Sequence, residues 1–151
     1  MNIYNLKQKP EYLNKLAAWH QREWSYLNPG QTLSDRLIKM QAYLNEAFIP
    51  TTFVAENNNL LGSAAIIECD MDDRKEISPW LASVYVSPEF RRQGIGKELV
   101  KHVMQQAKKH GFNSLYLYTP DQESFYQSLG WLVLEKREYH QTDVTIMSVK
   151  L

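Results

Sequence analysis

Apolar and polar positions alternate along this 151-residue chain with two periods, and each segment is short. "MNIYNL" reads as a first strand. Pro10 opens a helix on which Leu13, Leu16, Ala17, Trp24 and Leu27 share a face, and Asn28-Pro29-Gly30 breaks it. A second helix is expected after Ser34, with Leu37, Met40, Leu44 and Phe48 at helical spacing, ending before Pro50. "TTFVAE" and "LLGSAAIIE" flank Asn57-Asn58-Asn59 and read as an antiparallel hairpin, because asparagine tolerates turn conformations. Trp80 to Val86, rich in β-branched and aromatic residues between Pro79 and Ser87-Pro88, reads as a buried strand. Past a turn, Ile95, Leu99, Val103 and Ala107 recur at every fourth residue, Val100 and Met104 widen the stripe, and Gly111 supplies a stop. In the next strand Leu115 and Leu117 alternate with Tyr116 and Tyr118. A helix over 121–129 follows, with Thr119 as N-cap, Pro120 at its first position, Gln122 at capping-box spacing and Gly130 as terminator. "WLVLEKREYH" and "DVTIMSVKL" close the chain as a strand pair.

A single helix joins the strand ending at Val86 to the one beginning near Ser114, so those two strands should be parallel, while the hairpins are antiparallel. The expected fold class is therefore α/β, a mixed and mostly antiparallel sheet flanked by helices, in one domain over residues 1–151. No repeat, low-complexity segment or long linker divides it.

Composition narrows the function classes. A hydrophobic fraction of 44% and a charged fraction of 23% are ordinary for a globular domain. A formal net charge of zero implies no general attraction to nucleic acid or membrane. Cys69 is the only cysteine, which excludes an intrachain disulfide and a thiolate metal cluster. His20 and His102 lack metal-ligand spacing, and no metal is assigned. The N-terminal segment has no signal-type apolar core, and no run approaches the roughly 20 apolar residues of a membrane span, so a cytoplasmic location is expected.

The candidate chemistry lies in "YVSPEFRRQGIGKELV". A helix start leaves backbone N–H groups unpaired and carries the positive end of the macrodipole. Gly94 and Gly96 permit positive φ angles that turn successive N–H groups toward an anion, and Arg91, Arg92 and Lys97 add charge at the same place. A P-loop would need Ser or Thr at Glu98, and a dinucleotide fingerprint would need glycine at Leu99, so both are excluded. The segment resembles the GCN5-related N-acetyltransferase family, whose signature of Arg or Gln, two variable residues, Gly, one variable residue and Gly or Ala is met by Arg91, Gly94 and Gly96. A second family segment, Phe-Tyr followed by Gly and an aromatic residue, is matched by Phe125, Tyr126, Gly130 and Trp131. Family members often carry Asn seven residues before that tyrosine, where Thr119 stands here.

The resemblance implies an N-acetyltransferase fold in which the two parallel strands splay apart. It implies acetyl-coenzyme A (acetyl-CoA) as cosubstrate, with its pyrophosphate on the turn from Arg91 through Arg92, Gln93, Gly94, Ile95 and Gly96 to Lys97. The pantetheine arm would pair with Val84, Tyr85 and Val86, near Thr119. It also implies that Tyr126 protonates the departing thiolate, a role that suits a phenol with an ordinary pKa of about 10. The acceptor amine needs a base or desolvation, since a lysine-like amine is almost wholly protonated at neutral pH. Glu68, ending its strand beside the active one, is the carboxylate chosen for that role, with Asp70, Asp72, Asp73, Glu76 and His140 nearby. The local acidic excess over residues 68–76 suggests a small-molecule or peptide amine of cationic character. Trp19, Trp24, Tyr26 and Tyr43 read as core aromatics and Cys69 as a small buried strand residue. A longer acyl-coenzyme A, an oxygen acceptor and a non-catalytic coenzyme A-binding module stay open as alternatives, as does the choice between monomer and homodimer.

Overall fold

Seven strands pair into one sheet in the computed structural model, which describes residues 1–151. They are β1 (Asn2–Asn5), β2 (Thr51–Glu56), β3 (Leu60–Ile67), β4 (Trp80–Val86), β5 (Ser114–Thr119), β6 (Leu132–Tyr139) and β7 (Thr142–Lys150). Their spatial order is β1-β2-β3-β4-β5-β7-β6, and β4 with β5 is the one parallel pair. Four α-helices flank the sheet: α1 (Leu13–Trp24), α2 (Leu33–Met40), α3 (Ile95–Lys109) and α4 (Glu123–Gln127). The fold is thus the mixed, mostly antiparallel α/β sheet expected.

Strand alternation sorts the core onto two faces. Phe53 and Ala55 of β2 point to the face covered by α3, where Leu99, Val100, Val103 and Ala107 pack with Leu81, Leu115, Leu117 and Trp131. Val54, between them, points to the other face and packs with Leu13, Leu16, Ala17 and Met40 of α1 and α2. On that second face, Trp80, Tyr139, Val144 and Ile146 form a further cluster with Met71. No helix is long and apolar enough to cross a membrane.

Several boundaries differ from the periodicity, each for a local reason. Pro10 begins a 3-10 turn over Pro10–Tyr12, and α1 starts only at Leu13. Helix α2 is capped at Thr32 rather than at Ser34, because Thr32 Oγ1 accepts from the Asp35 N–H at 3.1 Å while the Asp35 carboxylate accepts from the Thr32 N–H at 3.0 Å. It ends at Met40 and tightens into a 3-10 turn over Gln41–Leu44. Phe48 therefore leaves the helical stripe and stacks on His110, with ring centroids 3.7 Å apart. Thr119 Oγ1 accepts from the Gln122 N–H at 3.0 Å as a cap would, yet α4 begins only at Glu123 and ends at Gln127, inside the expected 121–129. The β6–β7 hairpin turns through His140 and Gln141, both at positive φ, the geometry of a two-residue type I′ loop without its usual Asn-Gly.

Gly62 faces Val86 across the β3–β4 ladder, and a Cβ there would run into the Tyr85 carbonyl oxygen. The two strands can approach this closely only with hydrogen at that position. Gly62→Ala should cost about 1–3 kcal/mol, the usual range for overpacking, seen as a lower urea midpoint with an unchanged slope.

Candidate active site

Strands β4 and β5 meet at one register pair, Trp80 with Tyr116, where the Tyr116 N–H also bonds the Pro79 carbonyl at 3.1 Å. Beyond that point they diverge. A cavity of about 600 Å³ fills the opening, walled by Leu81 to Val86 on one side and by Leu117 to Asp121 on the other. The β4 main chain along this wall has no β5 partner, and such groups call for a hydrogen-bonding ligand or water.

A bulge helps keep β4 turned away from β5. Ser83 has φ +53, and the β3–β4 register slips between Ser63 and Ala65. The Ser63 hydroxyl donates to the Ser83 carbonyl at 2.9 Å, and His20 Nε2 lies 2.9 Å from the same Ser63 oxygen. Since the single hydroxyl proton is committed to Ser83, His20 is the donor, which assigns the proton to Nε2. His20 is buried between Trp24 and Tyr85, and burial pushes its pKa down to about 3, so the ring stays neutral. Its sequence context, a histidine on an amphipathic helix, carried no sign of this role.

At the start of α3 the backbone curls in the manner expected, with one change. Gly94, the N-cap, has φ +80, and a Cβ there would meet no protein atom within 4 Å. The second positive φ belongs to Arg92, at +66, and not to Gly96. Gly96 is already helical, and its bare Cα leaves room beside Val86 and Phe125. Arg92, Gly94, Ile95, Gly96 and Lys97 line the cavity, whereas Gln93 does not. Arg91 lines it too, but folds back: Nε donates to the Val86 carbonyl at 2.8 Å and the guanidinium lies over the Tyr85 ring. A helix N-terminus, a left-handed pair of residues and two free cations fit a pyrophosphate, and the unpaired β4 edge fits the amide-bearing arm attached to it.

Tyr126, on α4, is buried beside Phe125 and Trp131 and lines the cavity. Burial, and secondarily Asp121, raises its pKa, so the phenol keeps its proton at neutral pH. Thr119 lines the same wall with its hydroxyl occupied by α4's entry turn.

Glu68 is exposed and outside the cavity wall, because the extended chain that turns Ile67 and Cys69 inward turns Glu68 outward. From this loop Asp70 and Asp72 reach the cavity. Burial pushes Asp70 up to about 7, against the opposing pull of Lys39 and Arg36. The remaining loop acids are committed: Asp73 pairs with Arg137, and Glu76 with Arg74, which also holds Glu135. Only Asp73 is thus paired by a β6 cation, and the loop keeps an acidic excess in Glu68, Asp70 and Asp72. Cys69 lies just past β3, with its thiol donating to the Met71 carbonyl at 3.1 Å. Trp24 and Tyr43 belong to the cavity wall, Trp19 packs on Tyr85, and Tyr26 is exposed.

The sequence model of the acetyltransferase (GNAT) family matches residues 13–131. The chain belongs to that family. It is an acetyl-CoA-dependent N-acetyltransferase. Among curated relatives, the [ribosomal protein bS18]-alanine N-acetyltransferase of Escherichia coli K12 is 24% identical over 133 residues, covering 84% of this chain and 82% of its own. The fold is shared with an aminoglycoside 6'-N-acetyltransferase complexed with coenzyme A, at TM-score 0.75, 16% identity and coverage of 99% and 97%. It is shared equally with a ribosomal-protein-alanine N-acetyltransferase from Brucella melitensis, at TM-score 0.74, 17% identity and full coverage of both chains.

In this acetyltransferase, Gly94→Ala sets a methyl in the open space before α3 at a left-handed position, at a cost of about 1–2 kcal/mol. Coenzyme A binding, measured by calorimetry on the folded variant, should weaken. Unchanged affinity despite reduced stability would move the pyrophosphate off this turn.

Proposed function

We propose that the enzyme acetylates a primary amine by direct attack, with Asp70 as the base for the amine and Tyr126 as the acid for the thiolate. The observation that carries this reading is that both side chains open into one cavity at the splayed strands, and that their ionisation suits opposite tasks. A carboxyl near 7 is about half ionised at neutral pH and matched to proton abstraction, whereas a phenol raised by burial remains a donor. Names of the relatives support an amine on a peptide or on a small molecule as acceptor.

In the step itself, Asp70 takes a proton from the ammonium, freeing the nitrogen lone pair to attack the thioester carbonyl carbon. A backbone N–H near Val86 faces the oxygen on which charge develops. As the carbon–sulfur bond breaks, Tyr126 gives its proton to sulfur, and the second proton on the attacking nitrogen, now cationic, leaves through water to reprotonate the phenolate. Asp70 releases the proton it abstracted to solvent. The products are the amide and the free thiol, with no change of oxidation state.

Tyr126→Phe keeps the ring packing and removes the proton, so kcat should fall at least tenfold, within the range of about 10²–10⁴ typical of general acid catalysis, while coenzyme A affinity holds. A wild-type kcat, measured where chemistry limits the rate, sinks the role.

Asp70 predicts a pH signature of its own. In wild type kcat/KM should rise through pH about 7 as the carboxylate ionises, with Arg36, Lys39, Asp72 and Tyr118 setting its field. Asp70→Asn should abolish that limb and leave an activity that climbs only toward the pKa of the amine. Stability supplies an independent reading. A carboxyl whose folded pKa lies above its unfolded value of about 4 stabilises the fold below pH 4, and that contribution is lost as pH rises through 7. Wild type should lose stability over this window relative to Asp70→Asn. Parallel stability curves would show that Asp70 titrates normally.

A further inference from the structure

The acceptor end of the cavity contains two cations, half-buried Arg36 and exposed Lys39, that form no ion pair, although both act on Asp70 from a distance. Arg36, on α2, is half-buried in the wall; its Nε donates to Gln21 Oε1 at 2.9 Å and its Nη2 to Gln31 Oε1 at 3.0 Å. Both acceptors are neutral amide oxygens, and Nη1 faces no acceptor. Lys39, nearly one turn on, lines the same wall without an ion pair. The carboxylates that share the cavity are otherwise placed: Glu23 is exposed on α1, Asp121 is exposed past β5, and Asp72 is exposed with its Oδ2 3.7 Å from His140 Nε2. Asp70 is the inward one, and it is not fully ionised at neutral pH.

A guanidinium taken partly out of water without a counter-ion is unfavourable, and its planar fork suits a carboxylate in particular. We infer that the acceptor carries a carboxylate beside its amine, held by Arg36 and Lys39 while the amine faces Asp70. The inference rests on the amine-acetylation reading above and narrows it. The apolar wall between the two ends, from Trp24, Leu27 and Tyr43, suits a short hydrocarbon spacer. An acceptor with several ammonium groups would set a second positive charge against Arg36 and Lys39, where like charges repel. Asp73 and Glu76, being paired with Arg137 and Arg74 and outside the cavity wall, offer no further site for a second ammonium. The carboxylate belongs either to a free amino acid or to an acidic side chain of a peptide, and these share the same chemistry at Arg36.

The test measures thiol release from acetyl-CoA with matched acceptors. One arm compares ω-amino acids of two to six carbons with alkylamines of the same length. The other compares Ala-Glu-Ala-amide with Ala-Gln-Ala-amide. The carboxylate member of at least one pair should be preferred by about tenfold in kcat/KM, the scale of one hydrogen bond to a charged group, and the arm that shows it identifies the source. Arg36→Gln should bring that ratio close to one, chiefly through KM, and Arg36→Lys should restore part of it. A drop of equal size for both members of a pair in Arg36→Gln would assign Arg36 to holding α1 and α2 together, and overturns the inference. Equal use of both members of every pair, or preference for the member without a carboxylate, overturns it also and leaves amine acetylation standing. No turnover of any acceptor, with coenzyme A binding intact, overturns both.

Discussion

Strand β4 has to serve two masters with one backbone: it must pair fully with β3 and not at all with β5 beyond Trp80. The need to satisfy main-chain polar groups normally pulls neighbouring parallel strands together along their whole length. Here the bulge at Ser83 redirects the strand, and the hydrogen bond from Ser63 to its carbonyl fixes the bent geometry. His20 reaches across from α1 to hold Ser63, and its own burial guarantees that it arrives neutral, as a donor at Nε2. Charging that ring would require solvating a cation among Trp24 and Tyr85. The opening between β4 and β5 is therefore built by apolar packing around a single neutral imidazole. The glycine at position 62 contributes from the other side, since only hydrogen there allows β3 to come close to the Tyr85 carbonyl.

One physical cause, removal from water, acts on both of the groups proposed to transfer protons, with different consequences. Burial disfavours the charged form of an acid. For Tyr126 this only strengthens a proton the phenol already held. For Asp70 the same penalty moves a carboxyl from fully ionised to half ionised at neutral pH, with Arg36 and Lys39 limiting the rise. The proposed acid and base are thus tuned by desolvation in one cavity rather than by a relay between them. The turn proposed to hold phosphate is arranged in the opposite way, with exposed Arg92 and Lys97 beside an open helix start.

Much of this was legible in the chain. Short apolar runs bounded by turn residues gave β2 to β4, which are buried on both faces, while alternation gave β5 and the unbroken stripe from Ile95 to Ala107 gave α3; local pattern suffices for each. The turn from Arg91 to Lys97 was legible because it is contiguous. What escaped notice depends on contacts between distant segments. Position 92 could not be distinguished from position 96 as the second left-handed residue, since arginine does not advertise that conformation. Asp70 and Glu68 differ by two positions, and which of them faces the cavity depends on where the extended chain leaves the sheet after Ile67. His20 looked like an ordinary helical histidine because its partners, Ser63 and Tyr85, are more than 40 residues away. The second helix read too long because Leu44 and Phe48 kept its spacing, although the chain had already tightened at Gln41.

The two ends of the cavity also stand on separate supports, which bears on how such an enzyme can choose its acceptor. Helix α3 and the phosphate turn are anchored in the core on one face of the sheet, with Leu99, Val103 and Leu115. Helices α1 and α2, which carry Trp24, Arg36 and Lys39, pack on the opposite face around Leu16, Met40 and Val54. Substitutions on α2 that share no packing partner with α3 should act independently of it, as distant sites do. Acceptor recognition can then be altered at Arg36 and Lys39 without disturbing the grip on the donor. The link that remains is His20, which belongs to α1 yet fixes the bulge in β4. Changes to the acceptor wall are therefore tolerated along α2 and the outer end of α1, but meet a limit at the one α1 residue that holds the donor strand open.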